Sequence, residues 1–255
     1  YPHINENNLS CLSHILNSRK GMKPVNTILS LALSIAISVS SPVHAGQANI
    51  DQIEQAAAAL NIESLQTLAA ALSGYELALA NYRIAVCANL EQDEDLASQT
   101  LDLAIEQLET LAEQQPHNAE VKALLSQSYG YKIALQPYKA MYYGPKSADV
   151  IEQAEALAPN NPRVLLVKGV SKANAPVLFG GSRKDALQAF SLSIKAFTKD
   201  EYSNYHWGYA EAYTWRGLIH KRNGDMDLAE ADWQQALVIN PDYGWPKALL
   251  AENVD

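Results

Sequence analysis

The stretch Ala210–Tyr243, AEAYTWRGLIHKRNGDMDLAEADWQQALVINPDY, constrains the fold more than any other part of this chain. Counted from Ala210, it places Tyr213 at position 4, Gly217 at 8, Gly224 at 15, Ala229 at 20, Trp233 at 24, Ala236 at 27 and Pro241 at 32. The pattern describes two antiparallel helices in close contact. Gly217 and Ala229 are small where the helices touch, and Tyr213 and Trp233 fill the space around that contact. Asn223-Gly224-Asp225 supplies the turn, because glycine tolerates the left-handed backbone found at helix ends. Pro241 cannot continue a helix and closes the second one.

Weaker copies precede it. In 162–198, Leu165 and Gly169 take positions 4 and 8, and Ala186, Phe190 and Ser193 take 20, 24 and 27 after an insertion of five residues. The second hairpin along the chain is expected over 119–158, expanded in the middle, with Pro137 and Gly144-Pro145 breaking the helix. The first is expected over 64–116, its opening helix running to Leu90. Similar closing turns occur at Gln115-Pro116-His117-Asn118, Ala158-Pro159-Asn160-Asn161 and Asn240-Pro241-Asp242-Tyr243. A short capping helix is expected over about 245–253. Ile50, Ile53, Ala57 and Leu60 keep helical spacing in a lead-in segment. Only 12 Gly and 11 Pro occur in 255 residues, and no alternating apolar run suggests a strand. The expected class is all-α.

The repeat at 210–243 resembles the tetratricopeptide (TPR) superfamily, and the weaker copies extend the resemblance over most of 64–254. It implies a right-handed stack of antiparallel helical hairpins, an α-solenoid that binds partners and performs no catalysis. In that family the first helix of each hairpin lines a concave groove. Carried over by position, the groove residues are Glu211, Thr214, Leu218, Lys221 and Arg222 in the last repeat. In the preceding repeat they are Arg163, Leu166, Val170 and Asn174, with Phe179 in the inserted turn. A looser resemblance rests on Asn174, Pro176, Phe179, Gly180 and Gly181. It is to exported bacterial TPR-like proteins such as the accessory subunit of tripartite ATP-independent periplasmic transporters. That accessory is a lipoprotein, and this chain has no Cys at the place for lipid attachment.

The N-terminus has the form of an export signal. Arg19, Lys20 and Lys23 precede an apolar run from Ile28 to Val39, and Val43-His44-Ala45 suits cleavage after Ala45. The run is too short to cross a bilayer, so no stable membrane anchor is expected after cleavage. Met22 stands where an initiator belongs, so residues 1–21 are expected to be upstream sequence, 22–45 the signal and 46–255 the repeat domain. A bacterial periplasmic or secreted location follows. Removing 1–45 takes away three cations and Glu6, leaving 16 basic residues against 27 acidic, a net charge of −11. That balance argues against nucleic acid and anionic surfaces and favours cationic partners.

Catalytic signatures are missing: there is no HExxH, CxxC, phosphate loop or nucleophile elbow. No enzyme, metal or cofactor is expected. Cys87 reads as a small buried hydrophobe or as a reactive thiol. The clusters at Tyr129–Tyr143 and Tyr202–Trp215 read as packing or as a ligand surface. Lys221-Arg222 reads as a carboxylate clamp or as favourable charge at a helix C-terminus. Gly180-Gly181-Ser182 reads as a capped turn or as a ligand-contacting loop. The leading function is a scaffold or adaptor for a protein or peptide partner. The alternative is a small-molecule-binding accessory of a periplasmic transport system.

Overall fold

The computed structural model describes residues 42–202 and 205–252. Residues 1–41, which hold most of the expected signal segment, lie outside it, as does the end of the expected capping helix. Among the described residues there are eleven α-helices and no strand: α1 (Pro42–Ala58), α2 (Ile62–Ala69), α3 (Gly74–Leu90), α4 (Glu94–Gln114), α5 (Ala119–Leu135), α6 (Ala140–Leu157), α7 (Pro162–Asn174), α8 (Arg183–Phe197), α9 (Tyr209–Asn223), α10 (Met226–Ile239) and α11 (Gly244–Ala251).

Helices α3/α4, α5/α6, α7/α8 and α9/α10 pack as antiparallel hairpins, and the successive first helices α5, α7 and α9 each also touch an element of the hairpin before. The turns foreseen between repeats work as caps. Asn118 accepts hydrogen bonds from the backbone N–H groups of Glu120 and Val121, and Asn161 accepts from those of Arg163 and Val164. Each such cap contributes about 1 kcal/mol. At the last repeat the turn closes on Gly224, whose φ of 89° lets the Asp225 N–H reach back to the His220 carbonyl. Trp233 lies fully buried against Gly217, and Phe190 occupies the corresponding place against Gly169.

Two expectations need correction. The opening helix of the first hairpin is not continuous from 64 to 90. It is broken between α2 and α3, where Ser73 is extended (φ −147°, ψ 168°) and supplies the N-cap position of α3. Gly144-Pro145 does not break the second hairpin either. Pro145 sits inside α6, near its exposed N-terminal end, where its missing N–H removes one intrahelical bond. The true break there is Gln136–Lys139, a 3-10 turn begun by Pro137. The lead-in segment is a full helix, with Ile50 and Ile53 of α1 buried against the core. Residues of α1 through α9 share one continuous apolar cluster, and Trp233 and Leu249 join a second that seats α11 on the final hairpin.

Candidate functional site

The stack curls until its two ends meet. Gln47 of α1 donates to the His206 carbonyl (3.1 Å) and accepts from the His206 N–H (2.6 Å). The Trp207 indole donates to the Tyr75 hydroxyl (2.9 Å), and the Tyr75 and Tyr205 rings stack with centroids 4.8 Å apart. Arg83 of α3 grips both carboxylate oxygens of Glu54 (2.8 and 3.0 Å) and reaches Glu211 of α9 at 3.2 Å. Gln127 of α5 donates to the Tyr82 hydroxyl (3.0 Å) and to Glu211 (3.1 Å). Helices α1, α3, α5 and α9, widely separated in sequence, are therefore joined by one polar cluster. Burial raises the Glu54 carboxyl above its ordinary value despite the opposing pull of Arg83. Burial also pushes the Tyr75 and Tyr82 hydroxyls upward, which keeps them protonated.

The curl encloses a concave cavity of about 1980 Å³. The first helices of the hairpins supply much of its wall. Tyr82, Tyr131, Trp207, Tyr209, Trp215, Tyr243 and Trp245 give it an aromatic lining. Its charged lining is one-sided: seven carboxylates (Asp51, Glu54, Glu94, Asp95, Asp200, Glu211 and Asp242) face two arginines, Arg83 and Arg222, and no lysine. At the rim stand Pro137, Tyr138 and Met141 from the expanded second hairpin and Phe179 from the turn of the third, with Tyr138, Met141 and Phe179 largely exposed.

Of the residues expected to line a groove, Val170, Asn174, Phe179, Glu211, Leu218 and Arg222 do line this cavity. Four do not. Arg163 is fully buried between Glu120 and Asp200, an ion-pair network that ties α7 to α5 and to the segment after α8. Leu166 is fully buried in the main core. Thr214 turns its hydroxyl onto the Ala210 carbonyl, and its own carbonyl accepts from the Trp233 indole. Lys221 pairs with Glu252 at 3.2 Å and lies over the Trp233 ring. The expected Lys221-Arg222 clamp is thus divided. Arg222 instead neighbours Arg183, whose guanidinium donates to the Arg222 carbonyl, and burial together with that like charge holds Arg222 below its ordinary value.

Sequence reasoning missed Tyr82, Arg83, Gln127 and Tyr243. The first two hairpins match the repeat mainly in their second helices and closing turns, so the pattern did not align the inner faces of α3 and α5. The Arg83–Glu211 contact spans 128 residues. Cys87 is buried, its thiol pushed up to about 12 chiefly by burial, and its sulfur faces the Ala57 carbonyl at 3.7 Å. The Ser182 hydroxyl caps α8 by accepting from the Asp185 N–H, as the capped-turn reading requires. Among the described residues, no group of three or more His, Cys, Asp or Glu side chains is arranged to hold a metal ion. Among those residues, too, no helix is long and apolar enough to cross a membrane.

Comparison with known proteins agrees with this architecture. Residues 210–243 match the family model described as Tetratricopeptide repeat. A thermophilic TPR protein of Thermus thermophilus superposes with a TM-score of 0.50 at 19% identity, covering 80% of this chain and 99% of that one. The HusA haemophore from Porphyromonas gingivalis superposes with a TM-score of 0.50 at 23% identity, covering 69% of this chain and 95% of that one. No curated protein matches the chain. Residues 210–243 thus carry one tetratricopeptide repeat, and the stacked hairpins give the chain a helical-repeat fold like that of the two superposed proteins.

Proposed function

We propose that this protein is an exported, non-enzymatic adaptor that holds a protein or peptide partner in its concave cavity, and that the partner presents positive charge there. The observation that carries this reading is the cavity itself: about 1980 Å³, with seven carboxylates against two arginines. Small-molecule pockets span roughly 300–1,000 Å³, so this space suits a peptide segment better. Glu54 and Glu211 share Arg83, Asp200 is held by Arg163, and Asp242 lies 3.9 Å from Lys247, so the negative character of the wall rests chiefly on Asp51, Glu94 and Asp95. Apolar walls focus such a field and raise the local concentration of cations. The aromatic lining adds faces on which Lys or Arg side chains of a partner can rest.

Fluorescence anisotropy with labelled peptide pools tests the reading. A lysine- and aromatic-rich pool is expected to bind and to weaken with added salt, while a glutamate-rich pool of equal length stays free. Binding by neither pool at low salt, or preference for the acidic pool, would refute it. Export is tested separately by cell fractionation, with the mature chain expected in the periplasm or medium.

A second reading, a small-molecule-binding accessory of a periplasmic transport system, is favoured by the aromatic lining and by Tyr138 and Phe179 at the rim. One protein of similar fold is a haemophore, which makes haem the first probe. A saturable absorbance change and a raised melting temperature on haem addition would favour this second reading over the first.

A further inference from the structure

The inserted turn of the third hairpin, whose Phe179 stands at the cavity rim, also carries an exposed apolar tip. Val177, Leu178 and Phe179 form a 3-10 turn and stand 86%, 87% and 71% exposed, three consecutive large apolar side chains held in water. The turn is rigidly built. The N–H groups of Phe179 and Gly181 both bond the Pro176 carbonyl, and that of Gly180 bonds the Val177 carbonyl. Gly180 is left-handed (φ 83°), and a Cβ on Gly181 would lie 1.8 Å from the Ala175 carbonyl oxygen. The Lys172 ammonium closes the turn on the Gly180 carbonyl at 3.1 Å.

The surroundings are cationic. From Ala156 to Lys184 the chain contains no carboxylate, although the whole protein carries a net charge of −9. Two of the five cations in that stretch, Arg163 and Lys168, are paired with Glu120, Asp200 and Glu155. The others, Lys172, Arg183 and Lys184, flank the apolar turn, and the Arg222 side chain lies within charge range of Arg183, which donates to the Arg222 backbone carbonyl. Among the described residues none of these four makes an ion pair.

We propose that residues 172–184 form a membrane-docking element, in which Val177, Leu178 and Phe179 enter the interfacial layer of a bilayer bearing anionic lipid and the four cations meet its headgroups. The chemistry favours a bilayer over a protein surface. A projecting apolar tip ringed by unpaired cations matches the layered polarity of an anionic interface. Repulsion from the acidic remainder is screened beyond about 8–10 Å at physiological salt. Docking here would bring the mouth of the cavity, where Phe179 stands, close to the lipid surface.

The test is flotation of the full chain with vesicles of phosphatidylcholine alone or with phosphatidylglycerol added, at low and high salt. The protein is expected to float only with the anionic vesicles and to be released by salt. Arg183→Glu with Lys184→Glu removes two headgroup contacts and places acid in the first turn of α8, where it suits the helix. This pair should weaken partitioning on the order of 30-fold or more. Leu178→Asp with Phe179→Asp should abolish flotation, with the helical circular dichroism and melting temperature unchanged. Because both variants keep the apolar run at 28–39, their difference from the parent reports the turn alone. No flotation of the parent chain, or flotation of both variants equal to the parent's, overturns the proposal, as does capture of the turn by a soluble protein without vesicle binding.

Discussion

Replacing Gly217 with alanine pits two opposed effects against each other, and the geometry decides between them. Alanine gains up to about 1 kcal/mol of helix propensity over glycine. A Cβ at 217, however, would lie 2.5 Å from Trp233 Nε1, 2.8 Å from its Cδ1 and 3.0 Å from the Ala229 carbonyl oxygen. None of these can yield easily. Trp233 is fully buried and its indole donates to the Thr214 carbonyl at 3.2 Å, while the third atom is backbone. Overpacking of this kind costs about 1–3 kcal/mol, and shifting the indole weakens a hydrogen bond worth about 0.5–1.5 kcal/mol. The net expectation for Gly217→Ala is a loss of about 1–3 kcal/mol, with Gly217→Leu clearly worse. Gly130 of α5 is the internal control, because a Cβ there meets nothing within 4 Å. Gly130→Ala should stabilise by up to about 1 kcal/mol. Urea denaturation followed by helical circular dichroism measures both as shifts in midpoint at constant slope. In a Trp233→Leu background the penalty of Gly217→Ala should largely vanish, which isolates the contact. If Gly217→Ala proves as stabilising as Gly130→Ala, the close approach of α9 and α10 is not what this repeat is built on.

The remaining expectations are direct. Cys87 should resist alkylation and disulfide exchange in the native protein and react fully in urea, because its thiol is buried and held in the un-ionised form. At Asp200 burial pushes the carboxyl upward, but the hydrogen bonds and charge of Arg163 prevail and hold it below its ordinary value. The folded chain therefore binds that proton less readily than the unfolded chain, so the contact stabilises above the ordinary aspartate range and is lost as pH falls through the depressed value. Asp200→Asn should cost about 1.5–3 kcal/mol at neutral pH, and the gap from the parent protein, read as melting temperature, should close in strong acid.

The last hairpin was legible because its signature residues solve a local problem: Gly217 admits Trp233, and Asn223-Gly224-Asp225 closes the turn. The turns at 115–118 and 158–161 were legible as repeat ends, while the caps that Asn118 and Asn161 supply came only with the structure. The break at Ser73 was missed although it has a local signal: Ser73-Gly74 is a turn dipeptide and Gly74 is left-handed at φ 59°, but helical apolar spacing on both sides masked it. Pro145 misled because a proline near a helix start costs one bond, whereas one in mid-helix costs far more. Position-by-position transfer from the family located Glu211, Leu218 and Arg222 in the cavity wall. It failed for Arg163 and Lys221, whose charges are taken up by Glu120, Asp200 and Glu252. The curl itself rests on pairs such as Gln47–His206 and Arg83–Glu211, and a single chain shows no pattern that joins residues so far apart. Because those pairs tie the first helices to the last, the repeats are less independent than a linear array of hairpins would be.

Hydrogen exchange with and without a bound lysine- and aromatic-rich peptide tests the central claim most directly. Partner binding in the concave cavity predicts added protection in the inner helices α3, α5, α7 and α9, around Arg83, Gln127 and Glu211, with the outer helices α4, α6, α8 and α10 little changed. Protection confined to the outer helices, or none at saturating peptide, would contradict it.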